Sequence, residues 1–267
     1  MPFMESIICV DAAIQAEVDV LEIVAPTKLK TRTGYGKPKI THFQAFVSLD
    51  DVDRVYCTPD GYSEGSGIPC PSINLYGNVH GFDMRAARLP VPVEIPENTS
   101  LPVYARSATA ADTVVVSNMI LEYPNGGAFM DIARGPGFTR RAFNNGSALA
   151  SLVAEVSTAI TDLAPNRKYQ PATIGNGGVN GSTAGLVGPA FIRFDNSEIS
   201  GSQLWLPIVN NGAYQVGNGP SYYSLAECGI KMPHFNGGQD FTMSCLGYTA
   251  EQPIAEIGFI VDKVLFP

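Results

Sequence analysis

The side chains able to do chemistry are few and widely spaced. His42, His80 and His234 are the only histidines, and none stands in an H-x-H or H-x-x-x-H pair. That spacing gives no metal its shared ligands. Asp50, Asp51 and Asp53 gather carboxylates of the kind a hard cation takes, but exposed turn carboxylates are the simpler reading. Gly65-Ser66-Gly67 lacks the nucleophile-elbow pattern, and there is no G-x-x-x-x-G-K-[ST] loop. The five cysteines, Cys9, Cys57, Cys70, Cys228 and Cys245, are odd in number and contain no C-x-x-C pair. They read as buried thiols acting as small apolar residues, not as a disulfide framework or zinc site. The expectation is a non-enzyme with no cofactor and no bound metal.

One charged cluster stands out. Lys28, Lys30, Arg32, Lys37 and Lys39 are interleaved with Gly34, Gly36 and Pro38. It reads either as a solvated loop or as a contact for an anionic surface such as phospholipid or packaged genome. The chain as a whole is acidic, with net charge −8 and pI near 4.9. Split at residue 133, neither part is basic overall. A protein that wraps nucleic acid needs a basic face or arm, so sequence-specific nucleic-acid binding is not expected.

These residues must be carried on turns and short strands. Gly 27 and Pro 20 in 267 residues, with only 16% charged, favour many turns and few helices. Runs rich in β-branched and aromatic residues recur at Glu17–Val24, His42–Leu49, Asp53–Cys57, Ser72–Asn78, Phe82–Ala87, Val91–Ile95, Leu101–Ser107 and Thr113–Tyr123. Later runs are Ala190–Phe194, Gln203–Val209, Ser221–Met232, Phe241–Tyr248 and Ile254–Phe266. Pro59-Asp60-Gly61, Asn125-Gly126 and Asn211-Gly212 separate them with turn chemistry. The strand spacing fits a sandwich or barrel. Ser147–Leu163 alone competes as a helix, with Leu149, Leu152, Val153, Val156 and Ile160 near helical spacing. Thr158, Ile160 and Thr161 favour strand there, and the two readings stay open. No apolar run is long enough to span a bilayer, and the N-terminal residues do not fit a secretory signal.

The chain also resembles itself. Ala16-Glu17-Val18 through Ala25-Pro26 matches Ala154-Glu155-Val156 through Ala164-Pro165. Val93-Glu94-Ile95-Pro96 matches Ile230-Lys231-Met232-Pro233, and Thr109-Ala110-Ala111 matches Thr249-Ala250-Glu251. Met119-Ile120-Leu121-Glu122 matches Phe259-Ile260-Val261-Asp262. The order is kept and the separations run from 137 to 140 residues, which points to a duplication.

Two β-rich halves, each closing on a long apolar strand, resemble the double jelly-roll capsid proteins of the adenovirus-type lineage, which includes tailless membrane-containing bacteriophages. The resemblance is of architecture, with no specific motif. It implies an all-β fold of two tandem jelly-roll β-sandwiches with at most one or two short helices. The expected division is 1–125 as first jelly roll, 126–145 as linker and 146–267 as second jelly roll. It also implies a virion structural protein, a major capsid protein forming trimeric pseudo-hexagonal capsomers of an icosahedral shell. Its partners would be itself as a homotrimer, other capsid proteins and an internal membrane. It would be made in the host cytoplasm and reside in the virion. The Lys28, Lys30, Arg32, Lys37 and Lys39 cluster would then be an inner-face contact. The competing class is a glycan-binding or receptor-binding β-sandwich such as a tail-fibre component. There Trp205 and the tyrosines would matter, although apolar neighbours favour a core or interface place for Trp205. Expected core residues are Val18, Val20, Phe46, Leu75, Val115, Ile120, Ile192, Leu204, Ile257 and Ile260.

Overall fold

The computed structural model describes residues 3–14, 18–25, 30–48, 52–62, 67–75, 85–107, 113–125, 134–144, 156–160, 163–180, 187–196, 204–211, 222–230, 232, 234–238, 241–247 and 252–262. Among these residues every regular element is a strand. The chain forms two compact units, Met1–Gly126 with Gln203–Trp205, and Gly127–Ser202 with Leu206–Pro267.

The first unit contains β1 (Phe3–Ile14), β2 (Val18–Val20), β3 (Glu22–Ala25), β4 (Lys39–Val47) and β5 (Val52–Cys57). It continues with β6 (Ile68–Pro69), β7 (Ser72–Leu75), β8 (Arg88–Glu94), β9 (Val103–Ser107) and β10 (Thr113–Tyr123). One sheet runs β3-β1-β10-β4-β7, with β8 also on β4, and the other runs β2-β9-β5-β6. The pairing is nested. β1 lies against β10, β2 against β9, β4 against β8 and β5 against β6, all antiparallel. A long hairpin folded over on itself in this way is a jelly roll. β7 adds a parallel partner to the far half of β4, with Gln44 opposite Ser72 and Val47 opposite Leu75. β8 is a sheet edge, and its Pro90 and Pro92 are exposed.

The second unit repeats the plan. Its strands are β11 (Arg134–Asn144), β12 (Val156–Ile160), β13 (Lys168–Asn180), β14 (Val187–Asn196), β15 (Leu206–Asn211), β16 (Tyr222–Ser224), β17 (Phe235–Asn236), β18 (Phe241–Gly247) and β19 (Gln252–Asp262). The sheets are β11-β19-β13-β16, with β17 also on β13, and β12-β18-β14-β15. Again first pairs with last: β11 with β19, β12 with β18, β13 with β16 and β17, β14 with β15. The chain is therefore all-β, with two jelly rolls in tandem along the sequence. Two of the internal sequence matches fall on equivalent strands. Val18 opens β2 and Val156 opens β12, while Met119–Glu122 lies in β10 and Phe259–Asp262 in β19. Ile95 and Met232, matched just after and just before the short edge strands, are both buried. The Thr109 and Thr249 match lies outside the described residues.

Several expectations change. Within the expected helix, Val156–Ile160 is the strand β12, because β-branched Thr158 and Ile160 sit in register with Met243 and Phe241 of β18, and Leu163 lies in a bend after it. Residues 126–145, expected as linker, hold β11. Its Arg140 and Arg141 hide the strand pattern, and Gly135-Pro136-Gly137 reads as a turn but forms a register shift. Strands β1 and β13 were also missed. β13 carries Pro171, Gly175, Gly177 and Gly178, with register shifts at both places. Ser221–Met232 is strand only at β16 and then turns. Of the expected core, Phe46, Val115, Ile120, Ile192, Leu204 and Ile257 are buried, whereas Val20 is 58% exposed. Val20 lies on β2, an edge strand whose outward face is wet. Ile260 is half-buried, and the side chains of Val18 and Leu75 lie outside the described residues.

Candidate functional site

The charged loop before β4 is the best-defined polar constellation. Arg32 reaches back to Glu5 of β1. Its Nη2 donates to Glu5 Oε1 at 2.9 Å, and its Nε lies 3.2 Å from Oε1 and 3.1 Å from Oε2. The Arg32 side chain is 29% exposed and that of Glu5 only 5%. The guanidinium also lies 5.0 Å from the Phe3 ring centroid and 5.7 Å from that of Tyr35. Phe3, Tyr35 and Tyr123 pack against one another with centroids 5.7 to 6.1 Å apart. Tyr123 is fully buried and its hydroxyl accepts the Arg32 backbone N–H at 3.0 Å. Hydrogen bonding to Glu5 holds the Arg32 pKa above its ordinary value, and burial pushes the Tyr123 phenol well up.

The rest of the loop is tied down by backbone and carboxylates. Thr31 donates its hydroxyl to Pro96 O at 2.8 Å and accepts the Thr99 N–H at 2.8 Å. Gly34 donates its N–H to Glu97 at 3.0 Å. Gly36 has φ +78, and a Cβ there would come within 2.6 Å of Pro124 Cγ, so both conformation and space ask for glycine. Lys30 bridges to Ser100, and Lys37 lies 3.7 Å from Glu94 with both side chains exposed. Lys39 begins β4 between Glu122 of β10 and Glu94 of β8. Of the five predicted basic residues, Lys28 lies outside the described residues. Lys30, Arg32, Lys37 and Lys39 share one end of the first unit, where Glu5, Glu94, Glu97 and Glu122 also gather. Sequence reasoning found the cations and missed these acids, which come from β1, β8, β10 and the turn after β8.

The other candidate residues do not converge. His42 is buried on β4 with Nδ1 2.8 Å from Thr41 Oγ1, and His234 is half-buried in the second unit. His80, Asp50 and Asp51 lie outside the described residues. Asp53 is exposed, 3.9 Å from Arg106. Among the described residues no three His, Cys, Asp or Glu side chains are grouped as a metal site. None of the five cysteines is in a disulfide, and all five are buried. Burial pushes the thiols of Cys9 and Cys70 up to about 12 and that of Cys57 higher still. At neutral pH these are uncharged packing groups, not nucleophiles. Among the described residues no helix is long and apolar enough to cross a membrane. Trp205 is 1% exposed, so it offers no open ring to a ligand. Its backbone N–H donates to Ser6 Oγ at 2.9 Å, and the Ser6 hydroxyl donates to Trp205 O at 2.8 Å.

No family model matches the chain, and no curated protein matches it. Among solved structures, one described as "Crystal Structure of the STIV MCP" is 11% identical. The match covers 98% of this chain and 96% of that one, with a TM-score of 0.22.

Proposed function

We propose that this chain is a virion structural protein, a major capsid subunit that forms trimeric, pseudo-hexagonal capsomers of an icosahedral shell. The supporting observation is that the same nested strand pairing occurs twice in a single chain. A fold does not dictate a function. Tandem repetition narrows the choice, because three such chains around an axis present six similar units, and repeated lateral contacts of that kind close shells by symmetry. The low charged fraction of 16% fits a surface largely covered by neighbours. Its partners would be further copies of itself, other capsid proteins and an internal membrane, and it would reside in the virion.

Light scattering after size exclusion tests this. The expected species has three times the chain mass of 28.4 kDa, and electron microscopy of concentrated protein should show hexagonal arrays. A monomer that forms no array under any assembly condition overturns the reading.

A further inference from the structure

Gln44 stands where β4 changes partners. Before it, His42 lies opposite Arg88 of β8, and from Gln44 onward β4 runs beside β7, with Gln44 opposite Ser72. Phe43 donates its backbone N–H to Ala87 O at 3.0 Å. The return bond at this fork goes to a side chain, because Gln44 Oε1 accepts the Ala87 N–H at 2.9 Å. On the other side of β4, Gln44 lies directly opposite Asn118 of β10. Such a pair shares one face of its sheet. Here it is the face turned away from the core that holds Phe43, Ala45 and Met119. Gln44 and Asn118 are each 1% exposed. Gln44 Nε2 and Asn118 Oδ1 are both buried, and neither has a hydrogen-bond partner among the described residues. Ile8 lies opposite Asn118 on β1, and Phe46, Val116 and Ile120 lie two residues along on β4 and β10. All four are fully buried.

We infer that one internal water molecule binds here, accepting from Gln44 Nε2 and donating to Asn118 Oδ1. One atom is a donor and the other an acceptor, and leaving either unpaired in apolar surroundings is costly. The neighbouring side chains cannot meet that demand, since Ile8, Phe46, Val116 and Ile120 carry no hydrogen-bonding group. Gln44 cannot meet it either. Its Oε1 is tied to Ala87, and turning the amide over would set an NH2 group against the Ala87 N–H. Swinging the amide onto Asn118 would break the same bond. A water molecule both donates and accepts, so it joins the two atoms while the strands and the Ala87 bond stay in place. The pair is neutral, which suits water and not an ion.

The test is a high-resolution crystal structure of the full wild-type chain. It should show an ordered water within about 3.2 Å of both Gln44 Nε2 and Asn118 Oδ1. In solution, oxygen-17 relaxation dispersion should count one fewer long-lived water in Asn118→Leu than in wild type. Gln44→Met removes the anchor, so it should lose the same water and speed amide exchange at Ala87 about tenfold. A direct bond between Gln44 Nε2 and Asn118 Oδ1 in the wild-type map overturns the inference. So does a map in which either atom bonds another protein group, or in which no water joins them. A folded Asn118→Leu variant that keeps the full count of long-lived waters overturns it as well. The wild-type map decides the matter even where a variant fails to fold, and none of these outcomes bears on the capsid reading.

Discussion

The two sheets of the first unit are buried in different ways. In β5 and β9 buried residues alternate with accessible ones: Val55 and Cys57 point inward beside Arg54 and Tyr56, and Val103 and Ala105 beside Tyr104 and Arg106. In β1, β4 and β10 nearly every residue is buried. Ile7, Cys9, Phe43, Ala45, Val115 and Met119 join the core shared with the other sheet. Met4, Ile8, Phe46, Val116 and Ile120, on the opposite face, are just as inaccessible. That second face also holds Ser6, Gln44 and Asn118, buried polar residues rare in an ordinary core. An antiparallel sheet can keep one face in water, and only the β5 and β9 sheet does so.

The sharpest way to break this comparison is Phe46→Ala. Phe46 lies outside the shared core, yet it is fully buried, so calorimetry should show a loss of about 4 kcal/mol. A loss below about 1 kcal/mol would mean the second face is not packed as a core. Next comes Glu5→Gln, which leaves the Arg32 charge without its carboxylate. Denaturant unfolding should show about 3 kcal/mol lost, and Glu5→Gln combined with Arg32→Met should recover part of it. Ser6→Ala removes both bonds to the Trp205 backbone and should cost about 2 kcal/mol.

The thiols of the shared core sharpen the comparison through pH. Unfolded thiols ionise from about pH 9, whereas Cys9 in the fold holds its proton to about 12. Between those values the unfolded state binds fewer protons, so stability falls as pH rises. Each such thiol contributes up to about 1.4 kcal/mol per pH unit in that window. Thermal melts should therefore drop steeply above pH 9, and a variant with Cys9, Cys57 and Cys70 all replaced by Ala should show a flatter alkaline branch. The smallest effect is expected on the wet face. Arg54→Ala should change monomer stability by no more than about 1 kcal/mol, the worth of its surface cation–π contact with the Tyr56 ring.

The same contrast explains what could be read from the sequence. β5 and β9 were legible because alternation marks a half-wet strand. β1 was not, because Phe3 to Cys9 is buried throughout and period-2 contrast disappears. The Pro59-Asp60-Gly61 turn was legible: Tyr62 donates to Pro59 O at 3.0 Å, and Gly61 takes φ +90. The closing strands β10 and β19 were legible through both composition and repeat. Their partners β1 and β11 do not resemble each other, so the duplication was visible at one side of each pair only. At the charged loop the cations were adjacent in sequence and easy to see. Glu5, Glu94 and Glu122 come from distant strands, and only the register brings them together. The pairing of Gln44 with Asn118 was invisible for the same reason, since it too is made only by the register of β4 and β10.

The edge strand β8 has a further effect. Pro90 and Pro92 have no N–H to offer, and both are exposed where another strand would have to join. An incoming chain would find gaps in the hydrogen-bond ladder on either side of Val91. Ribbon growth by strand addition, the route to amyloid-like polymers, is thereby obstructed on that side at any protein concentration. That obstruction separates reversible association through side-chain surfaces from irreversible fibre formation. Replacing both prolines with threonine would remove it.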